Sequence, residues 1–228
     1  MHPHQDYCLA QLDDLYFIPD SIPPSRATLA SNMETVVTAI WDAPVQLGDR
    51  VLLVGFGGIG SLLAQVLSLI AGVELIIVDK ALSQVEIART YNFETQEFME
   101  VVAGSFDLAF NTSGSQEGLQ LAIDAVGFEG RVVDLSWYGD RSVSLSLGES
   151  FHSMRKQIIS SQVSSIPANR QNCWTYKRRK ALVFKLLENP LFDRHITHII
   201  PFAKTPDFFK KLLEERLQKR LACVIQYP

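Results

Sequence analysis

The stretch VLLVGFGGIG at 51–60, followed by VELIIVDK at 73–80, constrains this chain more than any other part of it. A short apolar run that stops at glycine reads as a buried strand, and SLLAQVLSLIAG after Gly60 reads as a helix. Between them Gly55, Gly57 and Gly60 form G-x-G-x-x-G. Each glycine has its own task in such a turn. The first permits the sharp exit from the strand, the second lets backbone approach a pyrophosphate, and the third lets the helix pack close to the strand. The helix then points unpaired N–H groups and a partial positive charge at the phosphates. Gly58 and Ile59 lie in the same turn and join the expected site.

The next strand ends in Asp79, close to the spacing of about 20 residues at which a carboxylate meets the adenosine ribose. A carboxylate there accepts bonds from both ribose hydroxyls and repels a 2′-phosphate. The expected ligand is therefore NAD(H) rather than NADP(H), with the adjacent Lys80 softening the preference. Two further turns, NTSG at 111–114 and SWYG at 136–139, fall at the carboxyl ends of later strands, where ligands of such sheets sit. They place Thr112 and Ser136 beside the nicotinamide half of the cofactor, although both read equally well as plain turn residues.

The rest of the chain supports an α/β reading. Strands are expected at 51–55, 74–79, 106–111, 130–136 and 142–147, with another near 98–102. Helices at 58–71, 83–91 and 116–127 alternate with them, preceded by a helix over 26–43. Near-continuous Val, Ile and Leu in the strands imply a parallel sheet covered on both faces, a doubly wound Rossmann arrangement. Residues 7–18 read as one or two short strands, and Asn92 suits a left-handed helix end. After residue 153 the rhythm changes: strands at RKQIISSQV, HITHIIPF and ACVIQYP, a helix over 174–189, and another from Thr205, as N-cap, to Leu221. The basic run YKRRK at 176–180 reads as a solvated helix face, with Ala181, Leu182 and Phe184 turned inward. The expected organisation is 1–30 as remnant and linker of a substrate domain, 31–152 as the nucleotide domain, and 153–228 as a segment returning to the substrate domain.

Composition excludes other classes. A net charge of −4 argues against nucleic acid or an anionic membrane as the main partner. No apolar run reaches the roughly 18 residues of a membrane span. MHPHQDYCLAQ lacks the basic start and apolar core of a signal peptide. Cys8, Cys173 and Cys223 are far apart and suit a reducing cytosol, so a cytoplasmic location is expected.

Together VQLGDRVLLVGFGGIGSLLAQVLSLIAGVELIIVDK, ITHIIPFAKTPDFFKKL and LYFIPDSIPPSRATLA resemble the medium-chain, zinc-type alcohol and polyol dehydrogenases along nearly the whole chain. The resemblance implies a six-stranded doubly wound sheet, a substrate-domain remnant, and hydride transfer between an alcohol or polyol and the nicotinamide. It also implies a homodimer joined through SVSLSLG. The family's Cys-Gly and Gly-His-Glu zinc motifs do not occur here, so zinc is not expected on this chain alone. Glu34 lies roughly where polyol dehydrogenases of the family place a carboxylate ligand, and it reads as well as a polar helix residue. His195 and His198 are expected in structural roles. Cys223 stands near the family's pyrophosphate arginine, a role Arg220 could take. Two functions stay open: an NAD-dependent dehydrogenase, as a short form or needing sequence absent from this chain, or a non-catalytic NAD(H)-binding dimeric module.

Overall fold

A computed structural model describes residues 4, 5, 7–12, 15–214 and 220–228. Its centre is a parallel sheet of six strands: β1 (Arg50–Val54), β2 (Glu74–Val78), β3 (Glu94–Thr95), β4 (Phe106–Asn111), β5 (Val126–Asp134) and β6 (Gln157–Ser160). Their order is β3-β2-β1-β4-β5-β6, every pairing being parallel. This is the doubly wound order expected, and the strand order reverses beside β1, where such sheets open a crevice.

Side-chain alternation along β1 divides the core in two. Val51 and Leu53 face one apolar cluster with α2 (Ala30–Asp42), α3 (Gly58–Leu67) and α7 (Tyr176–Leu187). Leu52 and Val54 face a second, which holds Leu119, Ala122 and Ile123 of α5 (Gln116–Ala125). Every residue of β1 after Arg50 is buried, so neither face tolerates a polar side chain. The remaining helices are α1 (Pro24–Ala27), α4 (Leu82–Thr90), α6 (Ser150–Ser153) and α8 (Thr205–Leu213). Apart from the sheet, β7 (Ile196–Pro201) and β8 (Ala222–Gln226) form a parallel pair.

Several elements differ from expectation. Residues 142–147 are not a strand. Val143 and Leu145 do point inward, but the segment lies along α5, where Ser144 N–H donates to Gln116 Oε1 (3.0 Å) and Ser146 N–H to Gln120 Oε1 (2.8 Å). The sixth strand is instead β6, so the sheet continues past residue 152 and its edge is not SVSLSLG. The strand near 98–102 is a 3-10 turn, Phe98–Glu100, and β3 precedes it. Among the described residues of 7–18 there is no strand; the segment meets no sheet edge and Phe17 is 98 % exposed. The single helix expected over 26–43 breaks at Thr28, whose hydroxyl donates to Ser25 O. Thr205 is already helical and Lys204 is the N-cap of α8. The expected course of that helix through Leu217 lies outside the described residues; Arg220 and Leu221 are not helical. Asn92 does adopt a left-handed conformation, φ 61°.

The basic helix is not simply solvated. Arg179 is buried in line with Val183 and Leu187, while Ala181 is exposed. Its guanidinium reaches Glu34 at 3.3 Å, Thr38 Oγ1 at 3.0 Å and Val163 O at 2.8 Å, fastening α7 to α2.

Candidate functional site

The glycine turn follows β1 directly. Gly55 has φ +98°, and a Cβ there would lie 2.9 Å from Thr112 Oγ1. A Cβ on Gly60 would lie 2.1 Å from Gly55 O, so the third glycine lets α3 start against the turn it follows. Gly57 is different: it is the N-cap of α3 with no side-chain cap, and a Cβ on it would meet nothing within 4 Å. The turn therefore presents open space and a helix N-terminus on the same side, the geometry in which backbone N–H groups meet phosphate. Gly58 serves another purpose, because a Cβ on it would lie 2.8 Å from Leu221 O, where the chain crosses towards β8. Ile59 packs against the core.

Asp79 stands at the end of β2 across the turn. Its Oδ2 accepts from Phe56 N–H at 2.7 Å and its Oδ1 from Ala81 N–H at 2.8 Å. Both bonds fix the carboxylate, and each oxygen keeps a lone pair for a diol. A cleft of about 120 Å³ opens between Gly55, Asp79, Lys80, Phe98, Ser113 and Ser115. Lys80 is turned to Glu117, 3.1 Å away, and lies 5.4 Å from the centroid of the Phe98 ring. A larger groove of about 480 Å³ lies at the amino ends of β1 and β4, beside Arg50 and Ser105. It is remote from the glycine turn, so its size does not outweigh the chemistry gathered in the smaller cleft.

The two later turns are tied to each other. Asn111, fully buried at the end of β4, lies within hydrogen-bond distance of Asp134 (2.9 Å), Ser136 (3.1 Å) and the Tyr138 hydroxyl (3.1 Å) through its amide nitrogen. Its Oδ1 accepts from the Ser113 hydroxyl at 2.7 Å, and Gly114 N–H donates to Ser136 Oγ at 3.0 Å. Burial, then the charge of Asp134, raises the Tyr138 pKa. Thr112 donates to Gly55 O at 2.9 Å, bracing the glycine turn. Thr112 and Ser136 thus hold backbone in place at the carboxyl ends of β1, β4 and β5. Asn111, Phe98, Tyr138 and Glu117 are missing from the expected set. An asparagine ending an otherwise apolar strand was a readable signal for the first; the other three depend on tertiary proximity.

Arg220 is brought to the turn through its backbone: Gln84 Nε2 donates to both Phe56 O (3.1 Å) and Arg220 O (3.0 Å). His195 is fully buried, not on the strand but in the turn before β7, with Nδ1 3.2 Å from Ser61 Oγ. Burial, then the charge of Arg194, lowers its pKa to about 4. His198 contacts Thr197 Oγ1 at 3.0 Å.

Glu34 lies in an ion-pair cluster between α2 and α7. Its carboxylate is paired with Arg179 and with Lys180, and two cations at one carboxylate oppose a dication there. Among the described residues no group of three His, Cys, Asp or Glu gathers for a metal ion, whereas a catalytic zinc takes three protein ligands. These residues do not fit a zinc centre.

Sheet order and glycine turn define the class: a Rossmann-type α/β chain. Comparison with known proteins narrows it. No protein-family model matches the chain. It is 24% identical over 218 residues to a D-guloside 3-dehydrogenase of Shigella flexneri, covering 90% of this chain and 62% of that protein. It is 29% identical over 176 residues to the zinc-type alcohol dehydrogenase-like protein YphC of Escherichia coli K12, covering 72% and 49%. An E. coli CFT073 alcohol dehydrogenase solved with NADH superposes with a TM-score of 0.75 at 17% identity, over 95% of this chain and 63% of that one. A Sinorhizobium meliloti chain described as a zinc-binding dehydrogenase, bound to NADP, gives 0.73 at 17%, over 91% and 61%. The chain is therefore similar to the zinc-type, medium-chain dehydrogenases in sequence and in fold, and spans less than two thirds of these relatives. No described helix is long and apolar enough to cross a membrane.

Proposed function

We propose that the chain is the nucleotide-binding part of an NAD-dependent oxidoreductase of the alcohol or polyol dehydrogenase type. The observation that carries this reading is the glycine turn: open space above Gly57 at the start of α3, with the Asp79 carboxylate 2.7 Å from Phe56 N–H on the other side of the turn. The open side takes the pyrophosphate, and Asp79 takes the ribose diol. The free lone pairs of Asp79 and its negative charge favour NAD over NADP. The turns at 111–114 and 136–139 follow β4 and β5 at their carboxyl ends, on the side of the reversal point opposite β2, and we assign them to the nicotinamide half. When bound, the nicotinamide supplies a hydride acceptor or donor. The residues of this chain bind and orient it, and none is assigned the substrate proton. Similarity to D-guloside 3-dehydrogenase supports a hydroxyl-bearing substrate.

The ion pairs around Glu34 favour a second reading, an NAD(H)-binding module without hydride transfer. In either reading we propose a homodimer, now through β6: it is an edge strand, and one flank carries no strand partner among the described residues. The test is absorbance of reduced nicotinamide on mixing the chain and NAD with a panel of alcohols, polyols and glycosides. Substrate-dependent reduction supports the dehydrogenase. Binding of NADH without any turnover supports the module.

A further inference from the structure

Glu117 lies in the first turn of α5, where the Ser115 hydroxyl accepts from Gly118 N–H at 3.0 Å and caps the helix. A carboxylate is favoured there by the helix dipole. Its backbone bond and Lys80 lower the Glu117 pKa, so the group stays ionised. The carboxylate meets Lys80 Nζ at 3.1 Å. Lys80 follows Asp79, at the point of the cleft where the adenosine ribose would sit and where a 2′-phosphate would require a cation. Its ammonium is turned instead to Glu117, above the Phe98 ring.

We infer that Glu117 sets which dinucleotide the cleft accepts, by holding the Lys80 ammonium away from the 2′-phosphate position. This rests on the dinucleotide reading of the cleft and adds a discriminating residue from a different strand–helix unit. Both members of the pair are more than half exposed, so the pair contributes little to folding, and Glu117→Gln keeps the fold. An exposed pair of this kind restrains a lysine only weakly, which keeps the expected effect small. Salt weakens it, because the groups face solvent.

The experiment is a titration of the unaltered chain, Glu117→Gln, and Glu117→Gln with Lys80→Met, with NADH and with NADPH, alongside thermal unfolding of each. The expected result is a ratio of NADPH to NADH dissociation constants that falls about three- to five-fold in Glu117→Gln. The ratio returns towards its original value in the double variant, because the freed ammonium is gone. An unchanged ratio in a folded Glu117→Gln that still binds NADH overturns the inference while leaving the dinucleotide reading intact. So does a gain for NADPH that survives loss of Lys80. If the unaltered chain binds neither nucleotide, the cleft itself is misassigned and the inference falls with it.

Discussion

At the scale of single residues, the glycines of one turn divide into different tasks, and substitution separates them. Gly57→Ala adds a methyl group to open space, so the melting temperature should hold. The same methyl group stands where the pyrophosphate would lie, and NADH binding should weaken at least tenfold, about 1.4 kcal/mol. Gly60→Ala should do the opposite first. Its Cβ would lie 2.1 Å from a backbone oxygen, and overpacking of that kind costs about 1–3 kcal/mol, read as a lower denaturant midpoint. His195 supplies a pH dependence. Its pKa falls from 6.5 to about 4 on folding, because the buried ring is held neutral. The unfolded chain takes up the proton first. The stability present above pH 6.5 is therefore lost as the pH falls from 6.5 towards 4, by roughly 3 kcal/mol. Urea midpoints measured across that range should flatten in His195→Gln; an unchanged slope would show that other groups carry it.

At the scale of elements, the buried ion pair of Glu34 and Arg179 fastens α2 to α7. Glu34→Gln leaves Arg179 buried and short of its partner, so unfolding should become easier by about 3 kcal/mol. Metal analysis of the purified chain should show no zinc lost with the substitution. The central strands were legible because β1, β2 and β4 are near-continuous apolar runs bounded by turn residues, a pattern with few competing explanations. SVSLSLG was misread because alternating apolar and hydroxyl residues suit an extended segment on a helix as well as one in a sheet. Only the partner, α5, distinguishes them. YKRRK was misread because a buried arginine and a solvated one look alike until the carboxylate opposite is known. The glycine turn and Asp79 were legible as a motif, whereas Phe98 joins the cleft, and Glu117 meets Lys80, only through folding.

At the scale of the whole molecule, two apolar surfaces stand open. One is the segment 7–18, in which Tyr7, Leu9, Leu12 and Phe17 are exposed. The other is the β7–β8 pair, where Ile199, Val224 and Ile225 line shallow grooves. Monomeric proteins rarely leave such patches uncovered. Together with the free edge of β6, they predict self-association of this chain in solution. Sedimentation velocity at micromolar concentration should give a dimer, or larger species as concentration rises. A well-behaved monomer across that range would contradict the prediction.

The central claim is that the turn after β1 and the carboxylate after β2 bind NAD(H). Titrating the purified chain with NADH and NADPH, following tryptophan fluorescence, tests it most directly, since Trp137 lies exposed within a turn assigned to the nicotinamide. The account predicts quenching by NADH and binding of NADPH at least tenfold weaker, a difference of about 1.4 kcal/mol. No binding of either, or a preference for NADPH, would contradict it.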